Sequence, residues 1–270
     1  MTPINALIGR LADLVLGPMA GLPAVAVVIG AALASAGVVL GVMRVASNQA
    51  ALSAVKRRIH ASLLEMRLYN DDVRALLRAQ GEVLRQNMRY VALSFVPLVI
   101  TAVPLTLAIA QLQAFYGYQG VSSGQPVEIT ATLDAGALPP RLEGAGIEVV
   151  APARHFRTLG EVAWQVRPLN TGATTLRVVT TTGVVLEKSL VVGDGIARRS
   201  PRRDQAGLVG QLLYPSEPPL DASSGVTAII VPYPERTLRV AGLDLHWLWI
   251  YLVATFALVL LLRKPFGVVI

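Results

Sequence analysis

The chain offers few groups for acid–base, nucleophilic or metal chemistry. Histidine occurs only as His60, His155 and His246, and the hydropathy pattern described below puts these three imidazoles in three different compartments. Cysteine is absent, which excludes thiolate metal sites, thiol nucleophiles and disulfides. No phosphate-binding glycine loop or nucleophile elbow is present, and no acidic residue lies in the apolar segments. We therefore predict no catalytic residue, no cofactor, no metal site and no enzymatic activity.

Two adjacent carboxylates, Asp71 and Asp72, could suggest a metal ligand pair. They follow Asn70 and precede a helical pattern, and side chains of this type commonly cap a helix and complement its dipole. A helix cap is the favoured interpretation.

The strongest candidate for binding chemistry is a set of cationic side chains in a helical pattern over residues 47–90. Apolar residues recur at three and four positions in the first arm, at Leu52, Val55, Ile59, Leu63 and Met66. A second stripe follows the sequence "YNDD", at Val73, Leu76 or Leu77, Gln80, Leu84 and Met88. This spacing predicts an antiparallel coiled-coil hairpin. Its candidate contacts with ribosomal RNA or lipid headgroups are Lys56, Arg57, Arg58, Arg74, Arg78, Arg85 and Arg89.

Apolar segments of membrane-spanning length flank this hairpin. Of the 270 residues 53% are hydrophobic and 15% are charged, a balance typical of a membrane protein. We predict three transmembrane helices, at 22–43, at 91–115 with Pro97 and Pro104 as kinks, and at 245–262 before a short tail at 263–270.

The distribution of charge predicts the orientation of the spans. Nine basic residues and four acidic ones lie between Arg44 and Arg89, and this excess favours the cytoplasmic side. The expected location is therefore the inner (plasma) membrane, with the hairpin and the C-terminus cytoplasmic and the N-terminus outside. Residues 1–17 favour an amphipathic helix on the outer surface, although they could also be a frayed extension of the first span.

The predicted spans contain polar and small residues. The residues that could line a groove between spans are Ser35, Ser94, Thr101, Thr106 and Gln111, and these side chains could equally serve only helix packing. Gly30 with Ala34, and Gly37 with Gly41, would let a further membrane subunit approach the first span closely.

Residues 119–240 differ in composition, with short apolar runs separated by turns. The runs at 127–133, 146–152, 161–168, 174–180 and 184–192 predict an antiparallel, immunoglobulin-like sandwich outside the membrane, with Trp164 in its core. The basic segment "ARRSPRRD" at 197–204 favours a solvated loop over a contact with lipid headgroups. The later run "VTAIIVPYP" predicts a further strand, whose sheet the pattern does not identify.

This order of segments resembles the three-span core of the YidC/Oxa superfamily of membrane insertases. The resemblance covers residues 4–115 and 245–264 and consists of an outer amphipathic helix, a span, a basic cytoplasmic hairpin and two further spans. It implies an insertase-like protein or membrane-protein chaperone, whose hairpin meets the ribosome or client and whose polar groove accepts the client. No span carries the arginine that many members keep in this groove, and the domain at 119–240 is an insertion.

An alternative class is a structural scaffold subunit of a cell-envelope membrane complex. The expected partners are the lipid bilayer together with ribosomes or nascent membrane proteins, or with other membrane subunits that meet the first span and the hairpin.

Overall fold

The structure, a computed structural model, describes residues 3–68 and 72–268 and combines helices with antiparallel β sheets. The helices are α1 (Pro3–Leu16), α2 (Ala24–Ala46), α3 (Gln49–Leu68), α4 (Val73–Tyr116), α5 (Leu208–Leu213) and α6 (Trp247–Leu262). The strands are β1 (Val127–Leu133), β2 (Arg141–Gly144), β3 (Ile147–Phe156), β4 (Glu161–Pro168), β5 (Gly172–Val179), β6 (Val185–Val192), β7 (Arg202–Asp204), β8 (Val226–Ile230), β9 (Thr237–Val240) and β10 (Leu243–His246). Short 3₁₀ turns occupy Pro18–Gly21 and Ala222–Ser224.

The chain divides into two compact units. The first contains Met1–Val28 and Leu107–Ile250, and therefore holds α1, the last turns of α4, α5 and all ten strands. The second contains Ile29–Thr106 and Tyr251–Ile270, and therefore holds most of α2, α4 and α6 together with α3.

The strands of the first unit form two larger sheets and one sheet of two strands. One sheet has the order β3-β4-β1-β8-β7, the other has the order β2-β5-β6, and β9 pairs with β10. All pairs of named strands are antiparallel. The predicted segments 127–133 and 161–168 coincide with β1 and β4, and the predicted strand in "VTAIIVPYP" is β8, which joins the sheet of β1.

One hydrophobic core is shared by the two larger sheets. Trp164 of β4 and Ile129 of β1 are buried with Leu176 of β5 and Leu190 of β6. In β1 and β6, buried and more exposed residues largely alternate, as expected for strands with one face on a core. The prediction that Trp164 lies in the core is confirmed.

Polar side chains define the helix ends of the second unit. Between α2 and α3, Asn48 Oδ1 accepts from the Ala51 amide at 2.9 Å, and Gln49 Nε2 donates to the Met43 carbonyl at 3.0 Å. At the start of α4, Asp72 Oδ1 accepts from the amides of Arg74 and Ala75. Asp72 is therefore a helix cap, as predicted, whereas Asn70 and Asp71 lie outside the described residues.

The buried faces of the hairpin differ in part from the predicted stripes. In α3 the more buried positions are Leu52, Val55, Ile59, Ser62 and Met66, so Ser62 replaces Leu63, which is 48% exposed. In the first half of α4 they are Leu76, Ala79, Val83, Gln86 and Tyr90. Of the predicted stripe, Leu76 lies on this face, whereas Val73, Leu84 and Met88 are each about two-thirds exposed. The second stripe is therefore wrong except at Leu76. Both observed faces repeat at alternating steps of three and four residues, which is the coiled-coil period. In α4 the more apolar stripe is mostly exposed, and the less apolar stripe is the buried one.

Within the described residues, two helices, α2 and α4, are long and apolar enough to cross a membrane. α4 continues without interruption through Pro97 and Pro104 and, at 44 residues, rises about 66 Å. The apolar helix α6 has 16 residues, a rise of about 24 Å, and begins at Trp247. The predicted start at residue 245 is wrong because Leu245 and His246 pair with β9.

Candidate functional site

A groove lies where α2 ends, α3 begins and α4 leaves the hairpin. Its volume is about 320 Å³, at the lower end of the range for sites that hold small ligands. The lining residues are Val39 and Met43 of α2, Leu52 of α3, and Tyr90, Ser94, Leu98, Thr101 and Leu105 of α4. Most of this surface is aliphatic. The groove is therefore suited to an apolar chain or side chain.

The three hydroxyl-bearing residues of the groove differ in what they offer to a ligand. Thr101 is buried, and its hydroxyl donates to the Pro97 carbonyl at 2.6 Å, so its hydrogen-bond donor is used within α4. Ser94 is half-buried and makes no side-chain hydrogen bond within the part of the chain that the structure describes. Tyr90 presents its ring, and the Lys56 ammonium lies 5.5 Å from the ring centroid. A cation therefore lies near the α3 end of an apolar groove.

The predicted cationic residues all lie on the two arms of the hairpin. Lys56, Arg57 and Arg58 lie on α3, and Arg74, Arg78, Arg85 and Arg89 lie on α4. Apart from the half-buried Lys56, all are exposed. Arg85 forms an ion pair with Glu82 at 2.8 Å, whereas Arg74, Arg78 and Arg89 have no ion-pair partner among the described residues. The hairpin thus presents positive charge outwards.

The structure does not bring the five predicted groove residues into one site. Ser94 and Thr101 line the groove, but Ser35 accepts from the Tyr251 hydroxyl at 2.7 Å. Thr106 is exposed and donates to the Ala102 carbonyl. Gln111 belongs to the first unit and accepts from Arg198. Of the five predicted residues, only Ser94 and Thr101 line the apolar groove. Residue type alone did not reveal that most of these polar groups bond within the fold.

The segment predicted as a solvated basic loop is largely structural. Arg199 is 2% exposed and donates to the carbonyls of Tyr118, Gly193, Gly195 and Ala197. Burial lowers its pKa, although these carbonyls accept from the charged guanidinium. Arg202–Asp204 forms β7. The prediction of a solvated loop is wrong because Arg199 is buried among carbonyl oxygens and residues 202–204 pair with β8.

The free edge of β6 is covered by side chains. Ser189 donates its amide to Glu217 at 2.7 Å, and Val191 donates its amide to the Tyr233 hydroxyl at 2.8 Å. The Lys188 side chain is fully buried, bonds the Ser200 carbonyl at 2.6 Å and pairs with Glu217. Burial lowers the Lys188 pKa against the opposing effect of Glu217, and burial raises the pKa of Tyr233 to about 12.

A larger hollow of about 570 Å³ borders this edge, with Arg203 and Glu217 in its lining. Arg203 donates to the Pro218 and Glu187 carbonyls, and Glu217 bonds to Lys188. These charged groups already have partners within the fold, so the hollow is a weaker candidate for ligand binding than the groove.

The site thus consists of an apolar groove beside a cationic helical hairpin, on helices of membrane-spanning length and composition. Within residues 3–68 and 72–268, no group of three or more histidine, aspartate or glutamate residues could hold a metal ion. Comparison of the chain with protein-family models, with curated protein sequences and with solved structures gives no match.

Proposed function

We propose that the chain is an integral membrane protein that helps apolar segments of other membrane proteins to enter the bilayer. In this proposal the groove holds an apolar part of the client, and the hairpin meets the ribosome or the client first. The observation that carries the proposal is the position of the groove. Its lining runs from Leu52 at the base of the hairpin to Leu105 within the apolar part of α4. A segment bound there would touch both the hairpin and the membrane-spanning part of α4.

The exposure of the apolar helices supports the membrane location. Phe95 and Val103 of α4 and Phe256 of α6 are each about 60% exposed or more, and such surfaces are costly in water. In the proposed topology α2, α4 and α6 are three spans of the inner membrane. The hairpin and the C-terminus are cytoplasmic, because cationic residues favour that side. The β domain, an immunoglobulin-like sandwich, is outside.

The proposed function requires no reactive group. A protein that lowers the cost of moving a segment into lipid needs an apolar surface next to polar contacts, and it does not need a nucleophile or a general base. The Ser94 hydroxyl and the Lys56 ammonium are the polar groups that a client would meet at the groove.

Site-specific photo-crosslinking tests this proposal. A photoreactive amino acid at Ser94, inside the groove, is expected to form adducts with nascent membrane proteins on stalled ribosomes. The control position is Phe95, the next residue of α4, which is 59% exposed and does not line the groove. We expect client adducts from position 94 that grow stronger with the apolarity of the nascent segment, and weaker adducts from position 95.

Two results would contradict the proposal. Equal labelling of nascent chains from both positions would show that the groove has no special role. Adducts from position 94 with one fixed membrane subunit, unchanged when translation is stopped, would instead support the scaffold function.

A further inference from the structure

A second exposed apolar surface lies on the β domain, at α5. Val209, Leu212 and Leu213 share one face of this helix, and Val209 is 70% exposed. On another side the helix lies against β7, where the Gly210 Cα is so close to Asp204 that a Cβ would lie 3.1 Å from the carboxylate. α5 therefore keeps its aliphatic face away from the strand behind it.

Helix α1 also turns an aliphatic face outwards. Leu7, Leu11, Leu14 and Val15 are between 52% and 71% exposed, whereas Gly9 and Leu16 are buried. Leu7, Leu11 and Leu14 belong to the stripe whose spacing predicts an amphipathic helix at a membrane surface, and the side chain of Ile4, the fourth member of this stripe, is not among the described ones. α1 leads, through the turn Pro18–Gly21, into the apolar helix α2.

Arg198 connects these two apolar surfaces. Its Nη1 donates to Asp13 Oδ1 at 2.9 Å and to the Gly9 carbonyl of α1 at 3.2 Å. Its Nη2 donates to Gln111 Oε1 of α4 at 2.8 Å and, at 3.4 Å, to the carbonyl of Pro215, two residues after α5. One guanidinium thus joins α1, the last turns of α4 and the segment that follows α5.

Further contacts join the segment around Arg198 to α4 and to the residues that follow α5. The Arg199 amide donates to the Ala114 carbonyl of α4 at 2.8 Å, and the Ser216 hydroxyl donates to the Arg199 carbonyl. The Phe115 ring lies 5.9 Å from the Arg198 guanidinium carbon. Two residues of chain span at most about 7 Å, so the end of α5 is held close to the end of a helix of membrane-spanning length.

We propose that α5 and α1 together form a membrane-facing surface of the first unit, with the aliphatic side chains of both helices in the outer leaflet of the bilayer. The position of α5 near the last turns of α4 identifies this leaflet as its partner. The exposed cation Arg10 of α1 complements anionic headgroups there. This inference rests on the proposed membrane location of the chain but not on client binding, so a protein without insertase activity would show the same surface.

Fluorescence quenching in nanodiscs tests this surface. The chain has no cysteine, so a single introduced cysteine reports one position. An environment-sensitive fluorophore is placed on Val209→Cys of α5, on Leu14→Cys of α1 and on Leu159→Cys of the β3–β4 turn. The three residues are exposed by 70%, 71% and 67%, so accessibility within the chain is matched. Leu213→Cys is a second α5 position in case Val209→Cys does not fold.

Quenchers attached to the lipid acyl chains are expected to reduce fluorescence at positions 209 and 14. The shallow quenchers should act most strongly, since interfacial helices insert about 5–10 Å. Aqueous iodide should act only at position 159. Iodide quenching of both α5 positions as strong as at 159 would overturn the proposal. Protection of α5 from both kinds of quencher would overturn it too, by showing that a protein covers the helix.

Discussion

The β domain and the hairpin use their charged residues in opposite ways. In the β domain, Lys188 and Arg199 are almost completely buried, and their charged groups bond to carbonyls or to Glu217. On the hairpin, Arg74, Arg78 and Arg89 are exposed and have no ion-pair partner within the described residues. Removing a buried partner leaves a desolvated charge, whereas removing an exposed charge changes stability little. The contrast indicates that the first set stabilises the fold and that the second set is available for binding.

The largest expected effect is the loss of Glu217. Glu217→Ala removes the partner of the fully buried Lys188 and the acceptor of the Ser189 amide. We expect the free energy of unfolding of the β domain to fall by about 3–5 kcal/mol. Hydrogen exchange of the β6 amides in the full chain measures this loss.

Glu187→Ala is the control for this change, because Glu187 is an exposed carboxylate on the same strand. It should alter the free energy by about 0.5 kcal/mol or less. Equal effects of the two substitutions would contradict a structural role for the buried pair.

A smaller effect comes from the titration of Tyr233. Its pKa in the folded state is about 12, against an ordinary value of 10.0. The folded state holds the phenol proton of Tyr233 more tightly than the unfolded state does. The contribution of this group to the free energy of unfolding is therefore complete below pH 10 and is lost as the pH rises towards 12. The total change is about 2–3 kcal/mol.

Urea unfolding of the full chain, from about pH 9 to about pH 12, measures this dependence. Tyr233→Phe should be less stable at neutral pH, because the Val191 amide loses its acceptor. Its free energy of unfolding should not show the decline at high pH that the titration of Tyr233 causes in the wild type. If the wild type and the variant decline in parallel, Tyr233 does not contribute to the pH dependence.

The smallest expected effect concerns a buried polar residue of the hairpin. Gln86 is 2% exposed, and its Oε1 is buried without a hydrogen-bond partner in the described part of the chain. Gln86→Leu also removes the hydrogen bond from Gln86 Nε2 to Glu82 Oε1 at 2.7 Å, but Glu82 keeps Arg85 as a partner. We therefore expect the free energy of opening of the hairpin to rise by about 1 kcal/mol, as measured by hydrogen exchange of α3. Asn87→Leu, at the adjacent exposed position, should leave it unchanged. A loss of stability in Gln86→Leu would mean that the amide has a structural role.

Periodicity and composition predicted much of the element order but not the interior contacts. The strand bounds of β1 and β4 follow from their alternating pattern and flanking turns, and Asp72 follows from capping chemistry. Arg198 and Arg199 were missed because a basic run has the same composition whether it is solvated or bonded to carbonyls from distant segments. The buried face of α4 was missed because its polar residue Gln86 packs inside while Leu84 and Met88 lie outside.

The most direct test of the proposed binding role of the hairpin is the affinity of the full chain in nanodiscs for ribosomes that carry a nascent membrane protein. The hairpin variant combines Arg74→Gln, Arg78→Gln and Arg89→Gln. The control removes the same charge from exposed arginines of the β domain, with Arg141→Gln, Arg154→Gln and Arg177→Gln. We expect the hairpin variant to bind more weakly and with a salt dependence lower by about one unit for each lost phosphate contact, and the control to bind like the wild type. Equal binding by the two variants would contradict the account.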